Sequence, residues 1–262
     1  VERLDLDRSI RAVGSLVYDP QRVVTVTTKT SGWVESVAVH HVGESVRRGQ
    51  VLFELYAPEL VQTQEELLAA LAFVDEMEGA PESARRGAEA LVESARQRLA
   101  TWDFDPRQIA ALEDRQEVFR TLPVRSPASG VLVEHTPGLE GMSVRPGLEL
   151  AQIADLSTLW LTVDLFEDQV ASVGEGARAT IDFPYFPGES FEGVVRYLEP
   201  SVAATTRTVR AHVDVPNRDG RLRRGMFATV LFESVAAPDA LAVPSQAVLR
   251  TGRRDLVVVA LG

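Results

Sequence analysis

The sequence contains no cysteine, which excludes disulfides, thiolate metal sites and cysteine nucleophiles but leaves the compartment open. Lysine occurs once, at Lys29, and every other basic residue is arginine. No uncharged apolar stretch approaches the roughly 18–20 residues a membrane helix needs; the best candidate, Leu256 to Leu261, is far too short. The opening Val1-Glu2-Arg3-Leu4-Asp5 lacks the charged-then-apolar layout of a signal peptide, as a mature secreted chain also would. Basic blocks are missing too. Acidic residues outnumber basic ones 38 to 27, for a net charge of −11, so nucleic acid is not an expected partner. Neither a Ser/His/Asp set, an HExxH run nor a phosphate-loop spacing is present. Glycine-rich turns fall between strands and not before helices, so they do not cradle phosphate. No catalytic centre, no cofactor and no preformed multi-ligand metal site are expected.

What the chain has is 262 residues at 45 % apolar content, enough for two domains or slightly more. It also has an internal repeat. Residues 31–55 (SGWVESVAVHHVGESVRRGQVLFEL) align without a gap on residues 129–153 (SGVLVEHTPGLEGMSVRPGLELAQI), at an offset of 98, with eight of 25 positions identical. Chance would give about two. Gly43 and Gly141 lie between β-rich runs, where a turn calls for positive φ; Gly49 and Gly147 mark a second bend before the next strand. Each half is a few short strands that cannot bury an apolar face alone, so the two are expected to pack together as one sandwich.

Between the halves the period changes. Leu60, Gln64, Leu67, Leu71 and Val74 recur at spacings of 4, 3, 4 and 3, and Ala88, Val92, Ala95, Leu99 and Trp102 do the same. Glu78-Gly79-Ala80-Pro81 breaks the pattern with turn residues, which predicts an antiparallel helical hairpin. Asp105-Pro106 reads as the N-cap and first residue of a shorter third helix to about Asp114. Both hairpin ends leave one small β module, so the hairpin must project from it. From Leu159 strand alternation takes over, with Leu159, Leu161, Val163 and Leu165 on one face and Trp160, Thr162, Asp164 and Phe166 on the other. A short helical piece is expected near 167–173, and strands at 177–183, 190–198, 208–215 and 226–233, as in a small antiparallel barrel. Residues 242–248 and 256–261 read as a further β region, and more chain is expected after it.

The half-repeat G-x-x-V-x-x-G followed by an apolar strand resembles half of a lipoyl or biotinyl domain. Neither half holds the carrier lysine of such domains, and Lys29 lies before the first half. With the hairpin between the halves and the barrel after them, the order of parts resembles the periplasmic adaptor, or membrane fusion, proteins of resistance–nodulation–division (RND) efflux pumps. Residues 31–71, IADLSTLWLTVDLFE (153–167), ATTRTVRAHVDVPN (204–217) and LRRGMFATV (222–230) look most like the heavy-metal, CusB-like branch. The resemblance implies a mainly β fold with an inserted α-helical hairpin, in four parts: a partial membrane-proximal β domain (1–17 and 236–262), a β-barrel (18–30 and 155–235), a split lipoyl-like β-sandwich (31–57 and 123–154) and the hairpin with its short third helix (58–122). It implies a non-enzymatic adaptor between an inner-membrane RND transporter and an outer-membrane channel, held in the periplasm at the inner membrane. It also implies self-association in the assembled pump, a hexamer by resemblance, and export of heavy-metal cations. An adaptor of a drug or ABC-type exporter shares the architecture and stays open; a lipoyl or biotinyl carrier is disfavoured by the missing lysine.

The candidate partner contacts are the hairpin tip, Met77, Glu78, Gly79, Ala80, Pro81 and Glu82, and Arg207, which sits between a loop and a strand. A local ion pair is at least as good a reading of Arg207. His40 and His41 are adjacent, so in a strand their rings point apart and chelate poorly; a surface strand end is the better reading. Met77, Met142 and Met226 are scattered, as packing residues are. His135 and His212 have no ligand-like spacing to any partner.

Overall fold

The computed structural model describes residues 2–243, 245–252 and 254–257. In chain order the elements are β1 (Glu2–Tyr18), β2 (Val23–Thr27), β3 (Gly32–Val37), β4 (Ser45–Val46), β5 (Val51–Tyr56), α1 (Pro58–Glu76), α2 (Glu82–Thr101), α3 (Pro106–Arg115), β6 (Thr121–Arg125), β7 (Gly130–His135), β8 (Ser143–Val144) and β9 (Glu149–Ala154). They continue with β10 (Thr158–Phe166), α4 (Glu167–Val170), β11 (Arg178–Asp182), β12 (Ser190–Ala203), β13 (Thr208–Pro216), β14 (Phe227–Ala242), β15 (Val248–Arg250) and β16 (Asp255–Val257). Two compact units result, Pro20–Asp155 and the flanking segments Val1–Asp19 with Leu156–Gly262. Among the described residues no helix is long and apolar enough to cross a membrane.

In the first unit two four-stranded sheets, β2-β9-β7-β4 and β6-β5-β3-β8, face each other. The repeat is visible in the hydrogen bonds themselves. Gly43 N–H donates to Leu132 O at 2.8 Å, and its mate Gly141 N–H donates to Val34 O at 2.7 Å. Each half lends the other a two-residue strand: β8 pairs with the start of β3, and β4 with the start of β7. The halves therefore interlock, and neither closes alone. The core pairs likewise, Val34 with Leu132, Val46 with Val144, Leu52 with Leu150 and Leu55 with Ile153, all buried.

The shared glycines have two separate causes. Gly43 and Gly141 take φ of 101° and 78°, the left-handed region expected of their turns. Gly32 and Gly130 instead mark close backbone approach: a Cβ would fall 2.2 Å from Tyr56 O and 2.5 Å from Ala154 O. Gly32→Ala and Gly130→Ala are therefore each expected to destabilise the protein by about 2–3 kcal/mol, the cost of overpacking against a rigid backbone. Urea unfolding checks this, and a change within experimental error would refute it.

The boundaries expected from the sequence shift here. Residues 18–30, expected in the barrel, supply β2, which pairs with β9 of the sandwich. At the same offset of 98, β2 is the counterpart of β6, so the structural repeat is 23–56 on 121–154, longer than 31–55 on 129–153. Lys29 thus falls inside the first half. It lies in the link from β2 to β3, which belong to different sheets, so it is not on a hairpin turn.

The inserted helices pack by the predicted seam. Leu60, Gln64 and Leu67 of α1 and Ala88, Val92, Ala95 and Leu99 of α2 are buried, with Leu71, Val74 and Trp102 partly so. Thr63 and Ala70 are buried as well. α3 starts on the predicted cap: the Asp105 side chain accepts from Arg107 N–H at 2.7 Å, and Gln108 closes the capping box. Arg96 donates to Glu113 at 2.7 Å, tying α2 to α3, and that hydrogen bond raises the arginine's pKa further.

The second unit is a closed barrel in the order β1-β10-β13-β12-β11-β14. Leu159, Leu161, Val163 and Leu165 point inward, as the alternation predicts. The strands at 178–182, 190–203, 208–216 and 227–242 match the expected ones, with β12 and β14 running longer. The N-terminal segment differs from expectation. Residues 1–17 were to stand outside the barrel, yet Ile10, Ala12 and Leu16 lie in its core, because alternate side chains of β1 face inward between β14 and β10. The β1–β14 ladder continues back to Glu2 and Ala242. β15 and β16 form a two-stranded hairpin, while Pro244 and residues 258–261 of the expected closing β region lie outside the described residues.

The loop joining β11 to β12 is braced by Phe183, Phe186 and Phe191, whose ring centroids are 5.2–6.4 Å apart. Arg221 lies over Phe186 and donates to both oxygens of Glu189, at 3.2 and 2.7 Å. The hydrogen bond from Arg221 is the main reason the Glu189 carboxyl titrates below its ordinary value. A lowered folded-state pKa adds stability that is complete above the ordinary carboxylate pKa and disappears as pH falls through the lower, folded value. The difference in thermal stability between the wild type and Glu189→Gln should therefore be largest near neutral pH and shrink toward zero in acid. A difference independent of pH would show that the ion pair contributes nothing.

Candidate partner-contact site

The hairpin tip is a tight turn made by the backbone. Met77 N–H caps α1 by donating to Phe73 O and Val74 O, both at 3.1 Å, and Ala80 N–H donates to Met77 O at 2.9 Å. Gly79 takes φ of 92° with open space where a Cβ would stand, so it is needed for its conformation and not for packing. Pro81 sits at the N-cap of α2. Glu78, Gly79, Pro81 and Glu82 are exposed; Met77 and Ala80 are half-buried. Glu82 pairs with Arg86 one turn on, at 3.3 Å, so of the acids around the tip it is partly compensated. The buried seam of the hairpin begins again only at Ala88.

Arg207 is far from the tip in sequence and belongs to the other unit. It stands exposed in the β12–β13 turn with φ of 53°, its N–H donating to Ala203 O at 2.8 Å. Among the described residues it forms no ion pair, so the local pairing weighed for it is not what holds it there.

His40 and His41 lie in the loop after β3 and not in a strand. Their rings are 6.2 Å apart and tilted by 55°, and the nearby Glu44 carboxylate accepts from His40 N–H at 3.1 Å. Met142 packs on the sandwich core and Met226 on the barrel core. His135 is half-buried, with Nδ1 3.1 Å from Thr136 O. Among the described residues no three His, Cys, Asp or Glu converge in a way that could hold a metal ion.

One cluster escaped sequence reasoning. His212 stacks on Tyr197 (4.6 Å, 18°), touches Trp160 (4.9 Å) and places Nε2 2.9 Å from Glu199. These residues come from three strands on the outer side of the barrel, yet Trp160 is 5 % and His212 is 7 % exposed. The alternation of β10 assigns Trp160 correctly to the outer face. It carries no sign that strand registers, Thr162 opposite His212 and His212 opposite Tyr197, would cover it.

Residues 23–154 match the family model described as the CusB barrel-sandwich hybrid domain, and residues 158–236 match the CusB-like β-barrel domain. The chain is 25 % identical over 258 residues to the membrane fusion protein SilB of Salmonella typhimurium, covering 98 % of this chain and 57 % of SilB. It is 24 % identical over 241 residues to the cation efflux system protein CusB of Escherichia coli K12, covering 92 % of this chain and 56 % of CusB. It thus spans a little over half the length of these relatives. Among solved structures, ZneB from Cupriavidus metallidurans superposes with a TM-score of 0.59 at 25 % identity, covering 87 % of this chain and 99 % of that one. The split sandwich, the hairpin between its halves and the following barrel are the parts those two family models describe and adjoin, and the chain belongs to the CusB-like, heavy-metal branch of the RND-type membrane fusion adaptors, a family of structural subunits and not of enzymes.

Proposed function

We propose that the protein is the periplasmic adaptor of a tripartite efflux system, linking an inner-membrane RND transporter to an outer-membrane channel and serving the export of heavy-metal cations. The observation that carries this reading is the interlocked sandwich. Because residues 23–56 and 121–154 complete each other's sheets, the chain between them leaves and re-enters at one place. Helices of 19 and 20 residues then carry the tip about 30 Å along the hairpin. A tip with little packed surface and several acids suits docking onto a partner, with charge helping to orient it. One tip offers little area, so self-association around a channel would supply avidity. Arg207 is the second proposed contact, on the barrel unit. The outer β1–β14 ladder and the β15–β16 hairpin are assigned to the partial membrane-proximal domain. The cation assignment draws on the likeness to CusB, a cation efflux system protein.

The test is site-specific photo-crosslinking in cells that depend on the pump. A photoreactive residue at Glu78 should give an adduct with the outer-membrane channel, and one at Arg218, in a barrel loop, should not. No channel adduct from Glu78, or equal adducts from both, would count against the bridging role.

A further inference from the structure

We propose that the cleft at the root of the hairpin is a binding site for a small amphipathic organic anion, a carboxylate or phosphate carried on an apolar body. The cleft holds about 830 Å³, within the roughly 300–1,000 Å³ of small-molecule sites. One wall is formed by β2 and β6, the outermost strands of the two sandwich sheets; the other is the helical elbow from Ala100 to Gln108. Five charged residues line it: Lys29, Arg48, Arg125, Asp103 and Asp105.

Both acids are already engaged. Asp103 lies 2.7 Å from Lys29 Nζ, and Asp105 accepts the N–H that caps α3. The arginines are not so engaged. Arg125 gives one N–H to Gly49 O at 3.0 Å, which fixes the fork and leaves its other donors available to a ligand. Arg48 precedes Gly49, and its own N–H is held by Ser129 Oγ at 2.9 Å. Gly49 N–H in turn donates to Ser126 O at 2.8 Å, beside Arg125. Both guanidinium groups therefore spring from one fixed rim, and neither forms an ion pair among the described residues. Two arginines lining one space suit a carboxylate or phosphate.

The repeat supplies an internal comparison. At the offset of 98, the counterparts of Lys29, Arg48 and Arg125 are Pro127, Pro146 and Thr27, all uncharged. Pro127 and Thr27 line this same cleft, so the duplication does not by itself account for its basic residues. The surfaces beside the arginines are apolar and rigid: Trp102 and Pro106 on the elbow, Pro123, Val124 and Pro127 on the sandwich. They would hold the body of the ligand while the arginines hold its head.

Calorimetry on the intact chain with octyl phosphate, octanoate, octyl glucoside and inorganic phosphate tests the assignment. Octyl phosphate and octanoate should bind one per chain and change the tryptophan emission. Octyl glucoside and inorganic phosphate should bind at least tenfold more weakly, since each lacks half of the recognised chemistry. The double variant Arg48→Gln/Arg125→Gln should weaken octyl phosphate at least tenfold, whereas Arg47→Gln, outside the cleft, should not. Trp102→Phe should abolish the emission change. Raising salt from 50 to 500 mM should weaken the anions alone, a check on the wild-type protein that does not depend on the variants folding. Equal affinity for octyl glucoside and octyl phosphate, no loss in the double variant, or no binding at millimolar ligand would overturn the proposal. So would arginine-dependent sedimentation with phosphatidylglycerol vesicles, which would make the cleft part of a membrane surface instead.

Discussion

Replacing Met77–Glu82 with a Gly/Ser loop of equal length is expected to abolish efflux-dependent resistance in cells while leaving the unfolding of the purified protein almost unchanged. The two halves of that expectation have separate grounds. On the stability side, the turn is held by backbone hydrogen bonds that a flexible loop can replace. The side-chain interaction lost, Glu82 with Arg86, is an exposed i,i+4 pair and contributes a few tenths of a kcal/mol. The hairpin core, from Leu60 to Val74 and from Ala88 to Leu99, lies below the replaced segment. A change of no more than about 0.5 kcal/mol follows, as for surface substitutions generally. On the functional side, the replacement removes the whole chemical identity of the proposed docking tip at once. Full resistance with the altered tip, at normal protein levels, would sink the bridging role.

Gln64→Leu is expected to have the largest effect on stability of the single substitutions considered, about 2–4 kcal/mol. Gln64 is fully buried on the seam of α1. Its amide closes a two-way clamp on the return segment: Phe119 N–H donates to Oε1 at 2.7 Å, and Nε2 donates to Phe119 O at 3.0 Å and to Leu60 O at 3.1 Å. Leucine keeps the volume and even suits the seam better as an apolar residue. It leaves the N–H and the carbonyl of Phe119 without partners, at about 1–3 kcal/mol for each buried group. The clamp also sets where the chain re-enters β6, so native-state proteolysis between Gln116 and Arg120 should quicken. Thr63→Ala is the control, since its buried hydroxyl only bonds back to Glu59 O on the same helix and its loss should cost less than about 1 kcal/mol. Equal effects from the two substitutions would show that the clamp is not what holds the return segment.

The same residue illustrates how far sequence reading reaches. The 4, 3, 4, 3 spacing placed Gln64 on the buried seam correctly, because helical periodicity fixes which face a side chain takes. It could not show why a polar residue is tolerated there, since the partner lies 55 residues away. The candidate site divides in the same way. Tip residues were legible because turn chemistry is local: Gly79 and Pro81 announce a reversal in any context. The cleft arginines were not, because Arg48 and Arg125 come together only when two strand ends meet.

The repeat was read from eight identities, and the structure accounts for glycines among them by local geometry: positive φ at Gly43 and Gly141, and backbone contact at Gly32 and Gly130. Residues 23–30 and 121–128 went unrecognised as its first strands because only Val26 and Val124 coincide. An edge strand needs an inward apolar residue and a free outer face, which many sequences satisfy. The sequence by itself therefore determined the order of parts, the helical seam, the turns and the inward face of β10, all of which depend on near neighbours or on period. Tertiary structure alone decided that the halves exchange β4 and β8, that β1 enters the barrel core, and that Trp160 and His212 are covered on its outer side. Those outcomes depend on strand register between distant segments, which no local pattern encodes.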